Sequence, residues 1–341
     1  MCRAGDGGRA VGQRVDFAEK IGDMFARIQE KAAARDKSVS ATVEKAEELE
    51  RGAAAVPHPH GRTLLPDRHP TRDFFIADIL DWALKDDRHS MEHPMFSLSK
   101  KPDRRVRHYE HNGNSVTIKP GADGLATIWD KDVLIYLVSQ VVEGLNRGRE
   151  DAKNRKVRFR VYDYLVSTNR PIGGEHYKRL EAGLDRLKGT TIKTNVVAGG
   201  SRIKHAFGLI DDWRIVERST TDERMIGVEI TLSEWLYNAI AAREVLTLNR
   251  DYFRLGGALE RRLYELARKH CGHQAKWTVG TELLHKKSGS SDLLKRFRAA
   301  LKRLVLADGL PDYRLKYDAE SDQVTFYSKD PTAFGDAGIG G

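Results

Sequence analysis

The chain is poor in residues that staple or span. Its 341 residues include two cysteines, Cys2 and Cys271. They lie far apart and have no partners at metal-like spacing, which excludes a disulfide framework and fits a reducing, cytoplasmic setting. The longest apolar block, VLIYLVSQVV from Val133 to Val142, is too short to cross a bilayer and carries polar residues, so a soluble protein without a membrane partner is expected. The Gly/Arg-rich start and late first apolar run do not read as a secretion signal. No G-x-x-x-x-G-K-[ST] phosphate loop occurs, which argues against ATP-driven unwinding. No Ser/His/Asp arrangement can be argued from the sequence, and neither cofactor nor catalytic residue is expected. Negative charge is also in short supply. Lys and Arg total 58 against 49 Asp and Glu, a net charge of +9, which suits a polyanionic partner and says nothing about fold.

Three histidine groups raise the question of a metal. His58 and His60 sit in a Pro-rich stretch rather than on a strand. His89 and His93 have helical i, i+4 spacing but are followed by Pro94. His270, Cys271 and His273 crowd together without a second ligand arm. None reads as a metal site.

Residues 1–71 read as an N-terminal extension and linker. Phe17, Ile21, Phe25 and Ile28 fall at helical spacing, and VPHPHGRTLLPDRHPTR then breaks regular structure with four prolines. From about Asp73 the chain turns apolar enough to pack. RRVRHYEHNGNSVTIK reads as two strands around an Asn-Gly turn. A helix is expected from about Asp130 to Leu145, with a stripe of Leu134, Leu137, Val138, Val141, Val142 and Leu145.

From that helix onward the sequence runs through one plan twice. Each copy has a longer helix, a short strand, a short helix, a turn, a second periodic helix and a hairpin. That is the order of a winged helix, a helix-turn-helix with a two-stranded wing. In the first copy Pro171, Gly173 and Gly174 make the turn. Tyr177, Leu180, Leu184 and Leu187 give the second helix one apolar face, and Gly189 is placed to end it in a left-handed conformation. TTIKTNV and RIKHAFGLI around AGGS are expected to form the wing. In the second copy, Ser290 or Ser291 is expected to cap the helix and Asp292 to sit in its first turn. Leu294, Phe297, Leu301, Leu304 and Val305 cover one side of it. Lys295, Arg296, Arg298, Lys302 and Arg303 fall outside that side, as a major-groove reader requires. Lys286, Lys287 and Ser290 just upstream complete the expected DNA-facing set. The first copy mixes Lys178, Arg179 and Arg186 with Glu181 and Asp185, which suits phosphate or protein contacts, and its wing offers Lys193, Arg202 and Lys204 as a backbone clamp. Asp318, Glu320 and Asp322 at the second wing tip would repel phosphates, so that tip is expected to point away from DNA.

The blocks DFFIADILDWALKDDRHSMEHPMFSLSKKPDRRVRHYEHNG, GLATIWDKDVLIYLVSQ, VSTNRPIGGEHYKRLEAGLDRLKGTTIKTN and ERRLYELARKHCG, in that order, resemble plasmid replication initiator proteins of the RepA class, the replication initiator protein A family. The likeness runs from about Arg72 to Ser328. It implies an α+β fold of tandem winged-helix domains; the first seventy residues lie outside it and are expected to form a weakly ordered N-terminal extension. The expected boundaries are 1–71 for the extension, 72–254 for the first domain with its N-terminal hairpin, 255–330 for the second domain, and 331–341 for a tail. It also implies binding to double-stranded DNA at repeats of a plasmid origin, recruitment of host helicase or initiation proteins, and self-association, with dimers repressing and monomers initiating. By motif place, Lys295, Arg298 and Lys302 are the implied base readers. A transcriptional (auto)repressor of the same fold and a rolling-circle nicking enzyme are the alternative readings.

Overall fold

The computed structural model describes residues 64–69, 83–111, 114–195, 205–218, 225–272 and 274–329, all within the unit from Pro57 to Gly341. The expected helix at Phe17–Ile28, the histidines His58, His60 and His273, the wing residues Arg202 and Lys204, and the tail at 331–341 lie outside the described residues.

In chain order the elements begin with β1 (Leu84–Asp87), α1 (Arg88–Glu92), β2 (Arg107–His111), β3 (Asn114–Lys119) and α2 (Lys131–Asn146). They continue with β4 (Lys156–Arg160), α3 (Val161–Ser167), α4 (Gly174–Gly189), β5 (Thr191–Thr194), β6 (His205–Gly208), β7 (Ile210–Arg218) and β8 (Met225–Leu232). The remainder are α5 (Glu234–Ala241), β9 (Val245–Leu248), α6 (Ala258–Cys271), β10 (Lys276–Gly280), α7 (Thr281–Ser288), α8 (Leu294–Ala307), β11 (Tyr313–Asp318) and β12 (Gln323–Ser328).

The two copies share one topology. In the second, α6, β10, α7 and α8 precede β11 and β12, and the sheet order is β10-β12-β11, with Thr278 opposite Thr325 and Leu315 opposite Phe326. In the first, α2, β4, α3 and α4 precede the strands, and the corresponding order is β4-β8-β7, with Phe159 opposite Val228 and Trp213 opposite Ile230. Both are winged helices, so the chain is α+β with tandem winged-helix modules.

The first wing is not where the sequence puts it. β5 and β6 do pair, Ile192 opposite Phe207, but they join β2 and β3 in a separate sheet of order β2-β3-β5-β6. The strands that close onto β4 are β7 and β8. The chain from His205 to Arg218 thus serves two sheets, changing partner at Leu209 between β6 and β7.

Helix ends follow local chemistry. α4 runs through Gly189 with no left-handed turn there, and ends at Thr190 with φ −77°. Gly189 instead permits close approach: a Cβ on Gly121 would lie 2.8 Å from Gly189 Cα. α7 stops at Gly289, whose φ of +70° a side chain would strain. α8 begins at Leu294, later than expected, with neither serine capping it. Ser290 Oγ accepts instead from the Asp292 N–H, at 3.2 Å.

The second core gathers Tyr252, Phe253, Leu263, Tyr264, Phe297, Leu301, Tyr313 and Phe326, and extends to Met91 of α1 and Ile135 of α2. Part of the Pro-rich stretch is docked as well. Leu65 N–H donates to Arg254 O at 2.7 Å, and Arg68 N–H to Asn169 Oδ1 at 2.8 Å.

Candidate nucleic-acid interface

α8 packs by one face because Leu294, Phe297, Leu301, Leu304 and Val305 recur at helical spacing. Phe297 and Leu301 are buried and the other three half-buried. Lys295, Arg296, Lys302 and Arg303 all stand exposed on the other side, together with Ala299 and Leu306. The β11–β12 hairpin lies beside them. The Lys302 ammonium sits 5.8 Å from the centre of the Tyr317 ring on β11, a cation–π distance.

Arg298, expected to read bases, is paired within the protein. It lies on the border between the packed face and the free face, turned toward the wing. Its Nε and Nη2 donate to the two carboxylate oxygens of Asp322, at 3.0 and 2.6 Å, a bidentate pair. Asp322 also accepts from the Tyr317 hydroxyl at 3.0 Å, and its backbone carbonyl accepts from Thr281 at the start of α7. The bonds from Arg298 lead in holding the Asp322 carboxyl down at about 2. One acid of the wing tip thus ties hairpin, α7 and α8 together. Asp318 is occupied within the turn, accepting from Glu320 N–H at 3.0 Å and Ser321 Oγ at 2.8 Å.

The residues upstream divide. Lys286 is exposed and paired with Glu282 at 3.1 Å, a weak contact that DNA could replace. Lys287 is largely covered and ion-paired to Glu92 of α1. Burial raises the Glu92 carboxyl, but hydrogen bonds from His270 and Lys287 outweigh it and hold the group well below the usual range. Lys287 therefore belongs to the packing of α7 on α1. A cleft of about 910 Å³ opens nearby, lined by both signs of charge, among them Arg88, Lys269, Glu92, Glu110 and Glu244.

In the first module, Lys178 and Arg179 are exposed on α4, Arg179 Nε donating to Glu175 at 3.0 Å. Lys193 is exposed on β5, in the sheet of order β2-β3-β5-β6 rather than the one that holds β4. Arg186 turns inward. Its Nε and Nη2 each lie 2.8 Å from an oxygen of Asp130, fixing α4 to the head of α2.

Sequence reasoning missed a set of charges between the two modules. Lys131 on α2 has no exposed surface, and its ammonium lies 2.6 Å from Asp86 and 3.1 Å from Glu265 of α6. Asp132 accepts from Arg261 of α6 at 2.6 Å and from Arg170 of the first helix-turn-helix at 2.8 Å. Arg262 reaches Glu265 at 3.0 Å and donates to the carbonyls of Met91 and Lys287. The available signal was the charge inside two apolar segments, DKD ahead of VLIYLV and ERR ahead of LYELA.

The model of one protein family, described as Replication initiator protein A, matches residues 85–315. A curated relative from Wigglesworthia glossinidia brevipalpis, named "Putative replication protein", is 40% identical over 267 residues, covering 78% of this chain and 96% of the relative. The chain belongs to the replication initiator protein A family. All the residues of α2, α4, α6 and α8 fall within the matched span of this initiator family. Among solved structures, domains 2 and 3 of RctB are 13% identical, covering 69% of this chain and 95% of theirs at a TM-score of 0.49. The Pi initiator protein in complex with iteron DNA is 13% identical, covering 59% of this chain and 91% of that one at a TM-score of 0.41. Among the described residues no helix is long and apolar enough to cross a membrane.

Proposed function

We propose that this chain is a sequence-specific DNA-binding initiator of plasmid replication that acts without catalysis of its own. It binds repeats at an origin and recruits host helicase or initiation proteins. The observation that carries this reading is the free face of α8, where Lys295, Arg296, Lys302 and Arg303 stand exposed beside a hairpin. Such a helix offers cations to two phosphate strands and arginine forks to guanine. Lys286 adds charge at one end. Lys178, Arg179 and Lys193 supply weaker backbone contacts from the first module, and Arg298 contributes by holding the wing. The protein works in the cytoplasm and self-associates.

Two measurements test this. Placed with its flanking DNA on a plasmid that cannot otherwise replicate, the gene should support replication in a suitable host; binding without replication would make the protein a repressor. Affinity for a flanking repeat should fall linearly on a log–log plot against salt, with a slope of about −0.9 per phosphate neutralised. A salt-insensitive complex would remove the role given to α8.

A further inference from the structure

The exposed side of α8 is not uniformly cationic. Lys295 and Lys302 stand about two turns apart and make one row; Arg296 and Arg303 make a second row alongside. Between the rows lie Ala299 and Leu306, both exposed, Leu306 at 85%. Four long side chains with charged ends therefore flank a centre line that is short and apolar at its middle.

A helix laid into the major groove turns its flanks toward the two phosphate strands and its centre line toward the base edges. Lysine and arginine stems are long enough to reach the phosphates from the flanks. A long residue at the centre would hold the backbone off the groove floor, whereas the alanine methyl permits close approach. That methyl can neither donate nor accept a hydrogen bond. Among the groups displayed in the major groove, its complement is the C5 methyl of thymine.

We propose that Ala299 is a specificity-determining contact of this protein, packing on the C5 methyl of one thymine while the two cationic rows grip the strands on either side. This rests on the reading of α8 as the element that enters DNA. Two features separate Ala299 from the fold: it is exposed, and the neighbouring core residues Phe297 and Leu301 lie on the opposite side of the helix.

The test selects duplexes from a random-sequence pool with the full chain. It then replaces each thymine of the winning duplex, one at a time, with deoxyuridine, which deletes the methyl and nothing else. One thymine should be sensitive, with binding about fourfold weaker, the worth of one buried methyl group. That sensitivity should vanish with Ala299→Gly, as coupled contacts require. Ala299→Gln should lose the selected duplex by tenfold or more while keeping its affinity for unselected DNA and its thermal midpoint. A sensitive thymine that stays sensitive in Ala299→Gly, no sensitive thymine at all, or native selectivity in Ala299→Gln would each overturn the assignment to Ala299 and leave DNA binding standing. Enrichment of no duplex would overturn DNA reading itself, and this contact with it.

Discussion

Single residues decide which of the basic positions remain available. Arg298, Lys287 and Arg186 read alike in the sequence as cations on surface helices. Their acidic partners lie 24, 195 and 56 positions away, and helical spacing carries no record of pairs so distant. The exposed cations of α8, Lys295, Arg296, Lys302 and Arg303, were legible because amphipathicity alone places them on the open face. The pairing of Arg298 with Asp322 separates two roles. Arg296→Ala should weaken binding to a selected duplex and lower the salt slope by about 1. Arg298→Ala should leave the slope nearly unchanged and lower stability only slightly, since both partners are part-exposed; salt titrations and thermal melts of the two variants compare them. His93 makes a prediction about pH. Burial lowers its imidazole to about 4, against about 6.5 in an unfolded chain. Between these values the unfolded chain holds a proton that the folded one does not, so stability present above about 6.5 is lost as pH falls toward 4, by at most ~1.4 kcal/mol per pH unit. Urea unfolding across that range should show this slope, and His93→Gln should flatten it.

At the scale of elements, the long helices were legible and the strand partners were not. Periodic apolar residues fix α2, α4 and α8 locally. Pairing is a distant choice, and between Thr191 and Leu232 the structure holds two antiparallel pairs in succession. The nearer one, β5 and β6, was the natural reading of the wing, yet β3 captures it and the following pair closes onto β4. Turn positions are equally exacting. At Gly289 a Cβ would fall 2.6 Å from Pro94 Cβ, with φ already at +70°. Gly289→Ala should therefore destabilise the chain by about 1–3 kcal/mol, measurable as a lower denaturant midpoint with an unchanged m-value. Leu184, wholly buried on α4, marks the other limit. Leu184→Asp buries a charge without a partner and should abolish cooperative unfolding of the first module, seen as lost near-ultraviolet dichroism.

Across the whole molecule, tandem modules were legible as a repeat, and their junction was not. Charged residues at the heads of α2 and α6 look like ordinary helix-start polarity until the two helices are brought together. There Lys131 faces Asp86 and Glu265 with no solvent contact. Lys131→Ala leaves the buried Asp86 carboxyl without its cation, while Arg262 still pairs with Glu265, and should lower stability by about 3–5 kcal/mol. Lys131→Met paired with Asp86→Leu, with Glu265 kept as the partner of Arg262, should recover part of that loss, a comparison that equilibrium unfolding can make.

Under the proposed function, that sealed junction also bears on how the chain would meet a long double helix. Two readers on a slack tether can each seek their own stretch and tolerate an extra base pair between them. Buried salt bridges, Lys131 to Glu265 and Arg261 to Asp132, set the mutual orientation of the two modules, so under the proposed function the protein would act as a gauge of fixed span. A duplex whose two contacted stretches are out of phase with that span must itself twist or bend to be held.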